Sequence, residues 1–142
     1  MKVQSILATK GAKVVTITAD ASIRDAIALM VQNNLGALFV VDANRHPHGI
    51  ISERDIVRVS SKSDAFFSEP VSRVMTVDVI CCPPMDDVEA VLQMMTAGHF
   101  RHLPIVEGGE LVGVVSIREV VTAQLNDYRG NIESLQTRLM TS

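Results

Sequence analysis

The chain contains few of the residues that bind nucleic acids or span membranes. It has no tryptophan, and aromatic residues make up only 4% of its 142 residues, so it lacks the stacking platforms of single-strand-binding proteins. Its net charge of −3 gives no basic field for a phosphate backbone. No apolar run approaches the roughly 18 residues of a membrane span. We therefore expect neither a nucleic acid partner nor a membrane partner.

Cysteine is also scarce, and the two that occur, Cys81 and Cys82, are adjacent. Neighbouring residues of a strand point to opposite faces, and a disulfide between adjacent residues is rare. We interpret both as reduced thiols that serve as small core residues rather than as a redox switch, which is typical of a cytosolic protein. Residues 1–7 lack the apolar stretch of a signal peptide. These features predict a cytoplasmic location.

Patterns for catalysis and metal binding are missing as well. The sequence shows no Ser-His-Asp or Cys-His arrangement and no glycine-rich phosphate loop of the Walker or Rossmann type. His46 and His48 flank a proline in a predicted turn, but they lack a third ligand. We therefore expect no catalytic residues, no metal site and no catalytic cofactor.

What the sequence does contain is an internal repeat. Val15 matches Ile80 at an offset of 65 residues, and Ser52 matches Ser116 at an offset of 64, so one residue has been gained or lost in a turn between them. A repeated half-domain cannot bury its apolar face alone. The repeat therefore predicts two copies that pack together, with ligand sites at the seam between them.

Copy one is predicted to form strand, helix, strand, turn, strand and helix. Its strands are expected at residues 14–18, 38–41 and 49–51. Ser22 and Ser52 are predicted to cap the two helices. The apolar spacing of the first helix indicates one buried face, made up of Ile23, Ala26, Ile27, Met30 and Val31.

Copy two is predicted to repeat this order. Its strands are expected at residues 79–82, 103–106 and 111–115, and the last two form a hairpin around a Gly-Gly turn. Asp86 or Asp87 is expected to cap the helix between the first two strands. The buried face of that helix is predicted to contain Val88, Val91, Leu92 and Met95.

Four segments resemble motifs of the CBS (cystathionine β-synthase) domain. They are residues 71–76, residues 100–106 and two Gly-hydrophobic-hydrophobic-Ser-x-x-acid segments, residues 49–55 and 113–119. Two tandem copies resemble the CBS pair, or Bateman module, and the chain is similar to small bacterial proteins that consist of one such pair. The resemblance covers residues 3 to about 123.

The resemblance implies an α+β fold of two β-α-β-β-α repeats, related by a pseudo-two-fold axis in one compact module. Family members bind adenosyl ligands between the copies and dimerise as flat discs, so we expect a homodimer. We divide the chain into repeat 1 (residues 1–62), a linker (63–70), repeat 2 (71–124) and a C-terminal helical tail (125–142).

The residues themselves suggest how such a ligand could be held. Ser52 lies where a predicted strand ends and a helix begins, and a helix N-terminus attracts phosphate through its N–H groups and its dipole. Asp55, three residues on, could accept hydrogen bonds from both ribose hydroxyls. Ser-x-x-acid is also a helix-capping motif, and this alternative stays open at the level of the sequence.

The resemblance implies two ligand clefts between the copies. The better equipped cleft is expected to contain Ser52, Arg54, Asp55, Val79, Ile80, Cys82, Phe100, Arg101, His102 and Leu103. The second, weaker cleft is expected to contain Val15, Ile17, Ala37, Leu38, Ser116, Arg118 and Glu119. The two arginines that precede the acids could equally be solvated helix residues, and the apolar strand residues are expected to belong to the core as well.

The two clefts differ in charge. In resembling proteins the acid of one copy faces the other copy, which would place Asp55 opposite Arg101 and His102, two donors suited to a phosphate. Glu119 replaces the family's usual aspartate, and it would face residues 37–38, which carry no charge. We therefore expect the Asp55 cleft to be the better phosphate site.

The tail carries an apolar stripe at heptad spacing, interrupted by Gly130 and Asn131. The stripe consists of Leu125, Tyr128, Ile132, Leu135 and Leu139. Two interpretations stay open. The tail could fold back on its own module, or it could contact a second copy or another partner.

Two functions are compatible with the sequence. The first is a regulatory module that binds an adenine nucleotide, with AMP favoured and ATP, ADP or NAD(H) as alternatives, and that signals its occupancy to a regulated protein whose identity the sequence does not give. The second is a scaffold or adaptor dimer with vestigial clefts. Neither involves a catalytic role.

Overall fold

The computed structural model describes residues 1–11 and 14–141. It has the mixed α+β composition that the sequence predicts. In chain order the helices are α1 (Val3–Lys10), α2 (Ile23–Asn33), α3 (Glu53–Ser60), α4 (Val88–Gly98) and α5 (Ile117–Thr141). The strands are β1 (Thr16–Ile17), β2 (Ala37–Val41), β3 (Pro47–Ser52), β4 (His102–Glu107) and β5 (Glu110–Ser116).

The described chain divides into two compact units whose boundaries differ from those of the sequence repeat. The first-repeat unit contains residues 14–80 and 106–112. The second-repeat unit contains residues 1–11, 81–105 and 113–141. Helix α1 therefore packs with the second-repeat unit, although it lies within the first repeat of the sequence.

The first-repeat unit contains a three-stranded sheet in the order β1-β2-β3. Strand β1 runs parallel to β2, with Ile17 opposite Val40, and β2 runs antiparallel to β3. β1 is shorter than predicted, and β3 begins at Pro47, two residues earlier than expected. Residues Leu38 to Val41 are all buried, as expected of a central strand covered on both faces.

Helix α2 covers this sheet with a narrower apolar face than the sequence predicts. Its cap is confirmed, since the Asp25 backbone N–H donates to Ser22 Oγ at 3.1 Å. Ile23, Ala26 and Met30 are buried. The prediction for Val31 is wrong, because this side chain is 77% exposed. At 3.6 residues per turn, Val31 is rotated by about 100° from the centre of the buried face.

The predicted linker is a packed part of the first-repeat unit. Residues Asp64–Ser68 form a 3-10 helix, and Phe66, which is only 5% exposed, joins the hydrophobic core of Ile23, Leu38 and Ile51. A second 3-10 helix, Val71–Arg73, follows. This segment therefore packs against the core through buried apolar side chains and is not a solvent-exposed linker.

The second-repeat unit is organised around α1, α4, the start of β4 (residues 102–105) and the end of β5 (residues 113–116). Helix α1 buries Val3 and Ile6, and its N-terminus is tied to the residues before α4, since the Val3 N–H donates to the Asp86 carbonyl at 3.0 Å. Asp87 is the N-cap residue of α4, within the predicted choice. Its side chain accepts from Lys2 Nζ (2.7 Å) and makes no hydrogen bond with its own helix.

The buried face of α4 is largely as predicted, with Val88, Val91 and Met95 buried and Leu92 half-buried. The predicted hairpin is confirmed, and its turn residues Gly108 and Gly109 have left-handed φ angles of 60° and 82°, which glycine adopts without strain.

The predicted strand at residues 79–82 is wrong. The described chain has only an isolated parallel bridge there, between Cys82 and Ile105. This bridge is the counterpart, in the repeat register, of the pairing between β1 and β2. Pro83 and Pro84 follow at once, and because proline has no N–H to donate, the ladder cannot continue beyond Cys82.

Helix α5 is the longest element, with 25 residues, and it runs through the predicted break at Gly130. The predicted tail is therefore the continuation of the last helix of the repeat. Neither α5 nor any other helix among the described residues is long and apolar enough to cross a membrane.

Candidate functional site

Ser52 and Asp55 form a reciprocal cap at the N-terminus of α3. The Asp55 backbone N–H donates to Ser52 Oγ (3.2 Å), and the Ser52 backbone N–H donates to Asp55 Oδ2 (3.0 Å). The Ser52 hydroxyl also donates to Oδ2, at 2.9 Å. The capping alternative that the sequence left open is thus confirmed, and a ligand-binding role for these residues stays a prediction.

The cap occupies only one of the two carboxylate oxygens of Asp55. The other, Oδ1, lies 4.0 Å from Arg58 Nη1, which is too far for a hydrogen bond. The Asp55 side chain is 13% exposed, so this oxygen belongs to a carboxylate that is held rigidly at the helix end. Asp55 can therefore cap α3 and still offer an acceptor to a hydroxyl group.

Ser116 and Glu119 form the equivalent cap at the N-terminus of α5. The Glu119 backbone N–H donates to Ser116 Oγ (3.2 Å), and the Ser116 backbone N–H donates to Glu119 Oε1 (2.9 Å). The extra methylene of glutamate does not prevent the reciprocal bond, as expected of a capping box, in which glutamate is a common third residue.

Lys10 adds a cation to this second cap. Its Nζ lies 3.1 Å from Glu119 Oε1 and donates to the Val114 carbonyl at 2.7 Å. Burial raises the pKa of Glu119, but the hydrogen bond from Ser116 and the Lys10 ammonium outweigh burial, so the pKa of this carboxyl lies below its usual value. No pattern in the sequence points to Lys10, because the lysine lies 109 residues from Glu119.

Glu119 has charged and polar neighbours within its own unit, and its expected position opposite Ala37 and Leu38 of the other repeat stays a prediction. Besides Lys10, the second-repeat unit places Arg101 and His102 near this cap, since the Ile117 N–H donates to the Arg101 carbonyl at 2.8 Å and Glu119 acts electrostatically on His102. The physical reason is hairpin pairing, because the start of β4 must lie beside the end of β5.

The same pairing operates in the first-repeat unit. Ala37 is the register partner of Ser52, and the Glu53 N–H donates to the Gly36 carbonyl at 2.9 Å. Each cap thus has the first strand of its own hairpin as a neighbour. Arg101 and His102 lie beside the second-repeat cap, where burial lowers the pKa of His102, and the uncharged residue Ala37 lies beside the first-repeat cap.

The remaining predicted site residues fall into three groups by exposure. Leu38, Leu103, Ile17 and Cys82 are buried, so their side chains belong to the core. Val15, Val79 and Phe100 are half-buried. Arg54, Arg118, Ile80, Arg101 and His102 are exposed. Ligand contact by any of these residues stays a prediction.

The two cysteines differ in environment. Cys82 is buried as predicted, whereas Cys81 is exposed, so the prediction that both are core residues is wrong for Cys81. Burial, assisted by the nearby Asp86, raises the pKa of the Cys82 thiol to about 11. This thiol is therefore protonated at neutral pH and is a poor nucleophile.

The two turn histidines both contact Asp42. His46 Nδ1 and His48 Nε2 lie 3.4 Å and 3.1 Å from Asp42 Oδ2, while Oδ1 accepts from the backbone N–H groups of Asn44 and His46. No group of three or more histidine, cysteine or acidic residues among those described could hold a metal ion. The structure gives this cluster the role of fixing the β2-β3 turn.

Comparison with known proteins identifies the family. The sequence model of the CBS domain matches residues 3–62 and again residues 71–126. The chain belongs to the CBS-domain family. It is 39% identical over 126 residues to a 17.7 kDa protein of Acidianus ambivalens, a match that covers 88% of this chain and 74% of the relative.

Solved structures of CBS-domain proteins share the fold. The crystal structure of a CBS-domain-containing protein from Agrobacterium tumefaciens is 37% identical, with a TM-score of 0.79, and the match covers 87% of this chain and 99% of that one. The crystal structure of CBSX2 in complex with AMP has a TM-score of 0.77 and covers 89% of this chain and 98% of its own. Its identity is 22%, so this second comparison supports the fold alone.

Proposed function

We propose that this CBS-domain pair is a regulatory module that binds an adenine nucleotide, with AMP as the favoured ligand and ATP, ADP or NAD(H) as the next candidates. Occupancy would favour one conformation of the module, and a protein partner that reads this conformation would respond. The proposal includes a homodimer and assigns the module no reaction of its own.

The observation that carries the proposal is the capped helix end in each repeat. Ser52 with Asp55, and Ser116 with Glu119, place a hydroxyl and a carboxylate at a helix N-terminus. This combination suits the two polar parts of a nucleotide, because the helix end attracts phosphate and a carboxylate accepts from ribose hydroxyls. CBSX2, which shares the fold, was crystallised with AMP, and this makes AMP the first ligand to test.

We propose Asp55 as the principal ribose acceptor. In each cap the bonds go to one carboxylate oxygen, but Glu119 is also paired with the Lys10 ammonium at 3.1 Å, whereas Arg58 lies 4.0 Å from Asp55 Oδ1. A ligand at Glu119 would have to compete with the lysine for the same oxygen or use the other one. This argument favours the Asp55 site without relying on charged residues from the other repeat.

Calorimetry with an Asp55→Ala variant tests the assignment. Loss of a carboxylate that is hydrogen-bonded to the ligand costs about 1.5–3 kcal/mol, so we expect AMP affinity to fall about 10- to 150-fold. Asp25→Ala is the matched control, because Asp25 holds the same position after the capping serine of α2 and is not a predicted site residue. Equal affinity in the Asp55 and Asp25 variants would refute the site.

The alternative is a scaffold or adaptor that binds no nucleotide. The observation that favours it is that both capping carboxylates already have partners within the protein, above all Glu119, which contacts Lys10. The same calorimetry separates the two functions. Millimolar concentrations of AMP, ADP, ATP, NADH and S-adenosylmethionine would all give no heat if the module is a scaffold.

A further inference from the structure

Helix α5 presents an apolar stripe to solvent. To the five residues of the sequence pattern the structure adds Val121, which lies four residues before Leu125 and continues the same heptad spacing. The six side chains are 38% to 76% exposed, and they are Val121, Leu125, Tyr128, Ile132, Leu135 and Leu139. We call this set the α5 stripe. Every residue from 128 to 139 is exposed, so this part of α5 does not fold back on its own unit.

The α5 stripe is a separate face of the helix. The side that packs on the unit is formed by Val120, Ala123 and Gln124, all of which are buried. At 3.6 residues per turn, the centre of the stripe is rotated by about 100° from the centre of that side. The match to the CBS-domain family ends at residue 126, so most of the stripe lies beyond the segment that family membership accounts for.

The part of α5 after residue 127 needs a neighbour that covers its apolar stripe if the helix is to be stable there. The helical segment after residue 127 reaches Thr141, and an isolated helix of this length, below about 15 residues, is marginal in water. Gly130 makes it weaker by about 1 kcal/mol relative to alanine. A neighbour that buries the stripe would supply the missing stabilisation.

We propose that the α5 stripe pairs with the same stripe of a second copy of this chain in a parallel two-stranded coiled coil. In heptad terms Leu125, Ile132 and Leu139 are the a positions, and Val121, Tyr128 and Leu135 are the d positions. All six are apolar, and Ile132 at a followed by Leu135 at d is the combination that favours parallel dimers.

The flanking charges select the parallel arrangement. In a parallel pair the g and e positions meet, which places Asn131 beside Gln136 of the other copy and keeps the two Arg129 side chains on opposite sides of the seam. In the antiparallel register that aligns all six stripe positions, Arg129 would meet Arg129 of the other copy. Like charges in direct contact disfavour that arrangement.

The size of the stripe predicts a modest affinity. Eighteen residue steps from Val121 to Leu139 span about 27 Å of helix, with a width of about 10 Å. This face is smaller than the roughly 800 Å² per partner of a standard interface. We therefore expect the paired helices to exchange in solution unless a second contact between the copies assists them.

Disulfide trapping in the full chain tests the proposal, on a background in which the exposed Cys81 is changed to serine. Leu135→Cys should form a disulfide with its own counterpart under mild oxidation, because d positions meet in a parallel pair. Ser134→Cys is the matched control, since residue 134 is exposed and adjacent but points away from the seam. Adding Ile132→Glu to the Leu135→Cys chain places a charged side chain in the seam and should slow trapping by a factor of about ten or more. A tenfold loss corresponds to about 1.4 kcal/mol of pairing free energy.

The outcomes are distinct from those of the nucleotide tests. Trapping of Leu135→Cys with itself, well above Ser134→Cys, supports the proposal. Trapping only in mixtures of Leu125→Cys and Leu135→Cys chains would show an antiparallel pair and overturn it. Equal trapping of the 134 and 135 variants, or no trapping in either, would overturn it as well.

Discussion

At the scale of single residues, the contact between Lys10 and Glu119 sets the two repeats apart. Asp55 caps its helix with no cation closer than Arg58 at 4.0 Å among the interactions of the described chain, whereas Glu119 has the Lys10 ammonium at 3.1 Å. Lys10 lies on α1, which packs in the second-repeat unit. The asymmetry between the caps therefore comes from the placement of this helix as well as from the exchange of aspartate for glutamate.

This contact predicts a pH dependence. The pKa of Glu119 lies below its usual 4.5, so the folded state binds this proton less tightly than the unfolded state does. The resulting stability is present above pH 4.5 and is lost as the pH falls through the lowered folded-state pKa. In Lys10→Met the pKa should rise, and the stability difference between the two proteins should shrink on acidification.

NMR titration of the Glu119 carboxyl, together with thermal melts at neutral and acidic pH, measures both effects. Lys2→Met is the matched control, because Lys2 pairs with Asp87 instead. An unchanged Glu119 titration in Lys10→Met would show that the contact has no energetic weight in solution.

At the scale of elements, the two segments 49–55 and 113–119 each begin with a glycine, but the space around the two glycines differs. A Cβ on Gly49 would lie 2.6 Å from the Thr76 carbonyl oxygen, which belongs to the backbone. A Cβ on Gly113 would lie 2.5 Å from Leu7 Cδ2, the end of a flexible side chain. The first clash requires main-chain movement, whereas the second can be relieved by a change of rotamer.

We therefore expect Gly49→Ala to be more destabilising than Gly113→Ala. Overpacking that forces a backbone shift costs about 1–3 kcal/mol, and Gly49→Ala should lie in the upper part of this range. Urea denaturation of the two variants measures the difference. A larger loss in Gly113→Ala would mean that α1 is held more rigidly than strand β3.

Elements whose causes are local were predictable from the sequence. The caps at Ser22 and Ser52 and the Gly-Gly hairpin depend on neighbours within a few residues, and all three are found in the structure. The predicted strand at 79–82 is reduced to one bridge at Cys82, and Pro83 and Pro84 prevent the ladder from continuing beyond it. The prediction that Val31 is buried was wrong because the apolar spacing places this residue at the edge of the buried face of α2. The width of that face depends on packing and cannot be read from the spacing.

Features that depend on distant residues could not be predicted. Nothing near Lys10 indicates that it meets Glu119, and in residues 63–70 only the pair Phe66 and Phe67 suggests a packed segment. The resemblance predicts that Arg101 and His102 face the cap of the other repeat, and this stays a prediction, while the backbone hydrogen bond from Ile117 to Arg101 within the same unit is visible only in the structure.

At the scale of the whole molecule, the proposed ligand should act as a stabiliser. A ligand that binds only the folded state at a concentration of 100 times its Kd adds about 2.7 kcal/mol to stability. We therefore expect AMP to raise the melting temperature in a concentration-dependent manner and Asp55→Ala, at the same AMP concentration, to remove about half of the shift or more. Ribose 5-phosphate, which lacks the base, is the control ligand. A melting temperature that does not respond to millimolar AMP would contradict the proposed function.

The placement of α1 has a consequence for biosynthesis. Val3 and Ile6 are buried in a unit completed by residues 81–105 and 113–141, so α1 is synthesised before the segments it packs against, which follow about a hundred residues later. At roughly 5–20 residues per second this delay lasts on the order of 5–20 s. During that time the first-repeat unit can acquire most of its core, while α1 remains an exposed apolar segment and a natural target for a chaperone.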